Sequence, residues 1–262
     1  METLRIILVA VVGLVWGSFL NVVIYRLPRG LSLVKPPSSC PKCGKRIKWY
    51  DNIPVISYLL LGGKCRFCGE KISVVYPLVE ALTAACFVIV YFHNLRFFDL
   101  QFFADCLFAS ALIALGFIDY FHQIIPDHIS LPVLVLALVY APFRYDLTLR
   151  QSLLGAVTGG GFLLIVYLAY LFLRKKEGLG MGDVMMMLMV GAYLGLSRTI
   201  LTLLLSSVSG AIIGIALIRA RKADLKFALP FGSFIAPAAF VSLIWGEGII
   251  QWYLSLFPHY FR

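Results

Sequence analysis

Residues 4–25 read LRIILVAVVGLVWGSFLNVVIY, an apolar run with a single charge near its start. A helix of about 20 apolar residues is long enough to cross the roughly 30 Å hydrocarbon core of a bilayer. The run ends in Asn21 and Arg26 without the small-residue cleavage site of a secretory signal peptide. The stretch therefore predicts a retained transmembrane helix.

Seven further apolar runs follow this one. They cover residues 74–92, 102–120, 128–143, 151–173, 183–197, 199–218 and 229–257, and the fourth and sixth of the eight are short. Hydrophobic residues make up 61% of the chain, charged residues make up 14%, and the mean hydropathy is +0.91. Such a composition excludes a soluble or disordered chain, and the unbroken runs do not alternate as barrel strands do. We therefore predict an all-α polytopic integral membrane protein with about eight transmembrane helices.

Positive charge is concentrated in three polar loops. The net charge is +10, and 17 of the 23 Lys and Arg residues lie in segments 26–71, 174–176 and 219–226. With eight spans all three loops fall on one side of the membrane. The positive-inside rule makes this side cytoplasmic and leaves both termini outside. Basic loops of this kind lie against anionic lipid, so we expect lipid contact and no nucleic acid.

Residues 26–73 form the longest polar stretch, and this stretch carries two similar motifs, CPKCG at 40–44 and CRFCG at 65–69. Two such Cys pairs, each followed by Gly, are typical of a zinc ribbon. A loop of this size lacks a core of its own, which a metal can replace. The predicted ligands of a structural zinc are Cys40, Cys43, Cys65 and Cys68. Two disulfides are the alternative, and a reducing cytoplasm disfavours them.

Two carboxylates are placed at the ends of apolar runs. Asp119 ends the third run, and Asp183 begins the sixth after Gly180 and Gly182. Intramembrane carboxylates are costly and usually functional. Two spans separate the pair, so both lie at the same cytoplasmic boundary, where they could share a proton as in aspartic proteolysis. A hydrogen-bonded core role for Asp119 and a helix-capping role for Asp183 are the alternatives.

Two other acidic residues are harder to interpret. Asp127 follows Pro126, and we expect it to cap the helix of the fourth run. Glu80 lies early in the second run, where it either joins helices by hydrogen bonding or belongs to a second site.

Seven short motifs occur in order along the chain. They are GSFLNVVIYRLP at 17–28, NIPVISYL at 52–59, YPLVE at 76–80, ID at 118–119, IPD at 125–127, GMGD at 180–183 and LPFG at 229–232. Together with the two Cys pairs, they resemble the motifs of the type IV prepilin peptidases over roughly residues 13–240. Two positions depart from the usual pattern of that family, which commonly has Arg at Val75 and Lys at Met185.

The resemblance implies an intramembrane aspartyl endopeptidase of the bacterial inner membrane with its active site facing the cytoplasm. Its substrates would be type IV prepilins or pseudopilins, and Asp119 and Asp183 would be the catalytic pair. The family usually also methylates the new N-terminus with S-adenosylmethionine, an activity associated with the large cytoplasmic loop. Because Val75 adjoins this loop, the departure there bears on methylation.

We accordingly divide the chain into three parts. Residues 1–25 form the first transmembrane helix, residues 26–73 form the cysteine-rich loop and candidate methyltransferase region, and residues 74–262 form the transmembrane aspartyl peptidase domain. The principal alternative function is a non-catalytic zinc-ribbon membrane adaptor or assembly factor. A third is an enzyme that resembles signal peptide peptidase and cuts within transmembrane helices.

Overall fold

The computed structural model describes residues 1–94, 99–175, 180–221 and 229–256, and within these ranges the regular secondary structure is helical. The α-helices, in chain order, are α1 Glu2–Arg26, α2 Ile56–Leu60, α3 Val75–His93, α4 Leu100–His122, α5 Asp127–Tyr140, α6 Leu149–Arg174, α7 Met181–Leu194, α8 Leu196–Arg221 and α9 Gly232–Ser255. Short 3-10 turns occupy Leu27–Arg29, Trp49–Asn52 and Ala141–Phe143.

Six of the helices in the described ranges are long and apolar enough to cross a membrane, namely α1, α3, α4, α6, α8 and α9. The apolar helices α5 and α7 have 14 residues each and correspond to the two runs that are short in the sequence. The prediction of an all-helical polytopic membrane protein is confirmed.

The boundary between the sixth and seventh runs differs from the prediction. Helix α7 ends at Leu194, three residues earlier than expected, and α8 begins at Leu196 instead of residue 199. The cause is Gly195, whose positive φ of 76° ends one helix and lets the next begin at once. Five of the basic residues counted in the sequence lie outside the described residues: Arg96, Lys176, Lys222, Lys226 and Arg262.

Residue contacts divide the chain into two compact units, and the first is Met1–Ala114. In this unit α1 packs closely against α3 because two glycines face the partner helix. A Cβ atom at Gly13 would lie 2.6 Å from Ala84 Cα, and one at Gly17 would lie 2.7 Å from Glu80 Cα. The Asn21 side chain also donates a hydrogen bond of 3.0 Å to the Tyr76 carbonyl. The start of α3 is thereby fixed against the end of α1.

In the second unit, Leu115–Arg262, α7 lies at the centre and contacts α5, α6, α8 and α9. Its methionines at 186, 187 and 189 are fully buried, so this methionine-rich segment serves as packing surface. The end of α7 is fixed by the buried Arg144, whose guanidinium donates a hydrogen bond of 2.6 Å to the Tyr193 carbonyl. The same guanidinium forms an ion pair of 2.8 Å with Asp146.

The closest helix contact in this unit joins α6 and α7 through Gly155 and Gly191. A Cβ atom at Gly155 would meet the Gly191 carbonyl and would lie 2.7 Å from the Gly195 carbonyl carbon. Backbone atoms cannot move aside as a flexible side chain can. Any side chain at Gly155 must therefore push the two helices apart.

We predict that Gly155→Ala lowers the melting temperature of the purified protein in detergent, with an overpacking penalty of about 1–3 kcal/mol. The matched control is Gly161→Ala in the same helix, where an added Cβ meets nothing within 4 Å. This control should be neutral or slightly stabilising, because Ala favours a helix over Gly. Equal melting temperatures for the two variants would contradict the assigned packing.

Candidate active site and metal site

Asp119 lies in the last turn of α4, and its side chain is buried, with 5% of the residue exposed. The helix ends just beyond it, where Gln123 adopts a positive φ of 53° and donates its N–H to the Asp119 carbonyl at 2.8 Å. The chain then runs through Ile125 and Pro126 to the start of α5. The end of α4 therefore turns sharply just after Asp119.

Asp183 occupies the first turn of α7 and is also buried, with 7% exposed. One carboxylate oxygen, Oδ2, accepts the Gly180 N–H at 3.2 Å, as an acidic residue at this position of a helix often does. The other oxygen, Oδ1, is buried and has no hydrogen-bond partner among the described residues. Asp183 thus caps its helix with one oxygen and leaves the second for another partner.

The first turn of α9 supplies a hydrogen-bond donor to Asp119 and lies close to both carboxylates. The Ser233 N–H donates to Asp119 Oδ2 at 2.9 Å, and the Gly232 N–H faces both Asp119 and Asp183. A Cβ atom at Gly232 would lie 3.0 Å from Asp119 Oδ2, so a glycine lets the helix start approach the carboxylate. The positive end of the helix dipole favours negative charge at this place.

The structure therefore brings Asp119 and Asp183 together, and the two carboxyl groups are close enough to interact electrostatically. Ile125 packs beside them and would lie within 2.8 Å of a Cβ atom at either Gly182 or Gly232. Two like charges in a buried place favour a state in which one carboxyl group keeps a proton. This arrangement can activate a water and polarise a carbonyl.

Asp127 does not cap α5, so that prediction is wrong. The helix begins at Asp127 itself, its N-cap is Pro126, and no side chain makes a capping hydrogen bond there. Because the φ angle of Pro126 is fixed near a helical value, the helix begins at residue 127, one residue earlier than the capping hypothesis assumed. Asp127 is exposed, and its charge favours the helix only through the dipole.

Sequence reasoning gave no role to Gly232 and Ser233, although the LPFG motif that ends at Gly232 was part of the resemblance. Their function depends on backbone amides, which no side-chain chemistry reveals. The available signal was the Pro-Phe-Gly sequence at 230–232 before an apolar run, which is consistent with a helix start.

The four predicted zinc ligands come from two knuckles of the same shape. In the first, the Gly44 N–H donates to the Cys40 carbonyl, and in the second the Gly69 N–H donates to the Cys65 carbonyl, both at 2.9 Å. Each glycine has a positive φ, 68° and 69°. An isolated antiparallel bridge closes each knuckle, Ser39 with Arg46 and Lys64 with Lys71. The repeated geometry directs both Cys pairs toward one point.

The sulfur positions fit a zinc ion. The four Sγ atoms lie within 4.8 Å of one another, and the distance between Cys40 Sγ and Cys68 Sγ is 3.8 Å. Four sulfurs at bonds of about 2.3 Å around tetrahedral zinc lie roughly 3.8 Å apart. The backbone amides of Cys43 and Lys42 lower the pKa of the Cys40 thiol to about 7, which favours the thiolate that a metal binds. All four thiols are free in this structure, whereas the alternative interpretation pairs them in two disulfides.

Glu80 is buried in the first turns of α3, with 8% exposed. Its Oε2 atom accepts the Val55 N–H at 2.8 Å, and the Ser18 hydroxyl faces it from α1. The residue therefore joins α1, α3 and the polar segment 26–73 by hydrogen bonding, which is the first of the two interpretations that the sequence allows.

Comparisons with known proteins agree with these features. Residues 11–94 match the bacterial peptidase A24 N-terminal domain, and residues 106–215 match the type IV leader peptidase family. The chain belongs to the type IV leader peptidase family. It is 40% identical to the prepilin leader peptidase/N-methyltransferase of Pseudomonas aeruginosa, over 93% of this chain and 91% of the relative.

Other relatives with the same description are similarly close. Identity is 39% to the protein of Stutzerimonas stutzeri, over 94% of this chain and 92% of the relative. Identity is 35% to that of Xanthomonas campestris pv. campestris, over 92% of each chain. No solved structure matches the chain. The chain is therefore an enzyme of this family, and its long apolar helices make it a multi-pass membrane protein.

We predict about one zinc per chain in protein purified under reducing conditions, measured by elemental analysis. Replacing Cys40 and Cys68 by serine should abolish the bound zinc, because two of its four ligands are lost. The control is Cys106→Ala, which removes a buried thiol of α4 outside the cluster and should keep the metal. Wild-type protein without metal would disprove the site.

Proposed function

We propose that this chain is an aspartyl endopeptidase that removes the basic leader of type IV prepilins or pseudopilins and then methylates the new N-terminus. The observation that carries the proposal is the pair of buried carboxylates, Asp119 and Asp183, that meet at the start of α9. Membership of the leader peptidase family supplies the substrate class.

In the proposed mechanism one carboxylate accepts a proton and the other donates one. The ionised member takes a proton from water, and the resulting nucleophile attacks the carbonyl carbon of the scissile bond. The protonated member donates to the carbonyl oxygen as charge develops there. When the tetrahedral intermediate collapses, the C–N bond breaks and the leaving nitrogen takes a proton. The products are a leader with a carboxyl terminus and a pilin with a free amine.

The site is proposed to face the cytoplasm. The charge asymmetry of the loops supports this orientation, and the two apolar helices α5 and α6 between Asp119 and Asp183 would return the chain to the same side. A prepilin has a basic leader inside the cell and an apolar helix in the membrane, so its cleavage site reaches the same depth. The scissile carbonyl must leave its helical hydrogen bond before attack. A small residue before the cleavage site, usually Gly in this family's substrates, makes that unwinding easier.

For the methylation half of the proposed function, the methyl donor is S-adenosylmethionine and the region that carries out the methyl transfer is segment 26–73. When bound, the donor would supply an electrophilic methyl group to the pilin amine; the methyl–sulfur bond would break with its electron pair on sulfur, and the amine would lose one proton to water. The predicted zinc is structural, since four thiolates leave no open coordination position. In this proposal the first transmembrane helix is residues 1–25, and the aspartyl peptidase domain is residues 74–262.

Two other functions fit the chain less well. A non-catalytic adaptor gives no reason for two carboxylates to be buried side by side, and the family is one of enzymes. An enzyme that cuts within transmembrane helices would need its carboxylates deeper than the helix ends at which Asp119 and Asp183 lie.

Asp119→Asn and Asp183→Asn should each reduce prepilin cleavage by about 10²–10⁴-fold or more, because each carboxylate has a separate proton role. Cleavage of a purified prepilin in detergent is the measurement, with the melting temperature recorded for each variant. Asp127→Asn is the matched control and should keep most activity, since that carboxylate is exposed and makes no capping hydrogen bond. An inactive, folded Asp127→Asn beside an active Asp119→Asn would reverse the assignment.

We expect cleavage to precede methylation and to be independent of S-adenosylmethionine. The pilin amine does not exist until the peptide bond is cut, so the acceptor is a product of the first reaction. The product mass measured without the methyl donor should be that of cleaved, unmethylated pilin, and adding the donor should raise it by one methyl group. A methyl group on uncut prepilin would contradict this order. The Cys40 and Cys68 double variant should lose methylation at least as much as cleavage.

A further inference from the structure

The unit Met1–Ala114 contains a cavity of about 460 Å³. Its walls come from the end of α1, the start of α3, both cysteine knuckles and the turn before α2. Pockets for small organic ligands usually have volumes of about 300–1,000 Å³. The cavity is therefore large enough for a nucleoside-sized molecule.

Three carboxylates line this cavity, and within the described part of the chain two of them have a cationic partner. Asp51 forms an ion pair with Arg66 at 2.6 Å, and Glu70 forms one with Lys42 at 2.7 Å. Among the residues that the structure describes, Glu80 forms no ion pair. A buried carboxylate without a cation is costly, so a cationic ligand would be favoured beside it.

The backbone around Glu80 is held in an unusual conformation. Val55, which donates its N–H to Glu80 Oε2, has a positive φ of 60°. A β-branched residue rarely adopts such a φ, and backbone strain of this kind is concentrated at ligand sites. On the opposite side, Gly17 lets α1 approach within contact distance of Glu80 Cα. The carboxylate is thereby positioned before any ligand arrives.

The other walls indicate which kind of cation fits. Tyr25, Tyr58 and Tyr76 line the cavity, together with apolar side chains such as Ile53. Four cationic side chains also line it and suit a ligand that carries a carboxylate as well as a cation, namely Arg26, Lys45, Arg66 and Lys71. A protonated amine needs three hydrogen-bond acceptors, whereas a sulfonium has no N–H or O–H donor and a soft, apolar surface. Aromatic faces and a single carboxylate are the partners that such a cation prefers.

We infer that this cavity binds S-adenosylmethionine and that the Glu80 carboxylate pairs with its sulfonium. The inference rests on the methylation half of the proposed function and adds the binding residue. Both knuckles form part of the cavity wall through Cys40 and Cys65, so the predicted zinc would keep that wall in shape. After methyl transfer the carbon–sulfur bond has broken with its electron pair on sulfur, and the product S-adenosylhomocysteine is neutral there. Glu80 therefore favours release of the product over release of the donor.

The test compares two ligands that differ by this charge. Titration calorimetry on the full-length protein in detergent would measure the affinity for S-adenosylmethionine and for S-adenosylhomocysteine. Glu80→Gln should weaken S-adenosylmethionine binding by about tenfold or more and should change S-adenosylhomocysteine binding by less than about threefold, since only the former carries the charge. Glu247→Gln is the matched control, because this exposed carboxylate of α9 lies outside the cavity, and it should change neither affinity.

A second measurement needs no variant and so does not depend on the folding of Glu80→Gln. In the wild-type protein, S-adenosylmethionine should bind more tightly than S-adenosylhomocysteine, which lacks the sulfonium charge. Equal loss of both affinities in Glu80→Gln would show a structural role, and equal affinity of the wild-type protein for the two ligands would exclude charge pairing. Either result overturns the inference.

Prepilin assays separate this inference from the proposed function. If the wild-type protein methylates cleaved pilin while Glu80→Gln keeps its full affinity for S-adenosylmethionine, only the role of Glu80 is wrong. If the wild-type protein cleaves prepilin but neither binds nor uses S-adenosylmethionine, the methylation half fails and the cavity assignment fails with it. Cleavage by Glu80→Gln should remain, since the aspartate pair is unchanged.

Discussion

Burying two carboxyl groups side by side in an apolar helix bundle is unfavourable unless backbone amides are directed at them, and the second unit of this chain is organised around that requirement. Asp119 is held by the first turn of α9 through Ser233, and Asp183 is held by the start of its own helix through Gly180. Both donors are unpaired amides at helix N-termini, which a membrane interior must satisfy in some way. Each carboxylate therefore gains a hydrogen-bond donor, and each helix start gains an acceptor, in place of the water that both groups lose on burial.

In the first unit, turns, thiols and one buried carboxylate hold a polar segment in place. Segment 26–73 lacks a large apolar core, and its two knuckles are held by glycine turns that direct four thiols toward one point. Its connection to the helices runs through Glu80, which accepts an amide from Val55 while α1 packs over its backbone at Gly17. One buried carboxylate thus links a polar segment to a pair of apolar helices.

The sequence was sufficient for the helical fold because hydrophobic length is the signal that the membrane itself selects. It was also sufficient to propose Asp119 and Asp183, since intramembrane carboxylates are rare. It failed where the outcome depended on one backbone position, as at Pro126, which took the N-cap expected of Asp127. It gave no role to Gly232 and could not resolve Glu80, because each depends on a backbone amide that meets a carboxylate far away in the chain: Gly232 with Asp119, and Val55 with Glu80.

The shortness of α7 has a consequence for how a hydrolase obtains water inside a membrane. Its 14 residues span about 21 Å, roughly 9 Å less than the hydrocarbon core. Helix α7 lies at the centre of the second unit, and its neighbours α6, α8 and α9 are longer, with 26, 26 and 24 residues. Asp183 is in the first turn of α7. The longer helices would meet the lipid, so the missing length of α7 would leave a recess between them, and water would reach the carboxylates through that recess without a channel across the membrane.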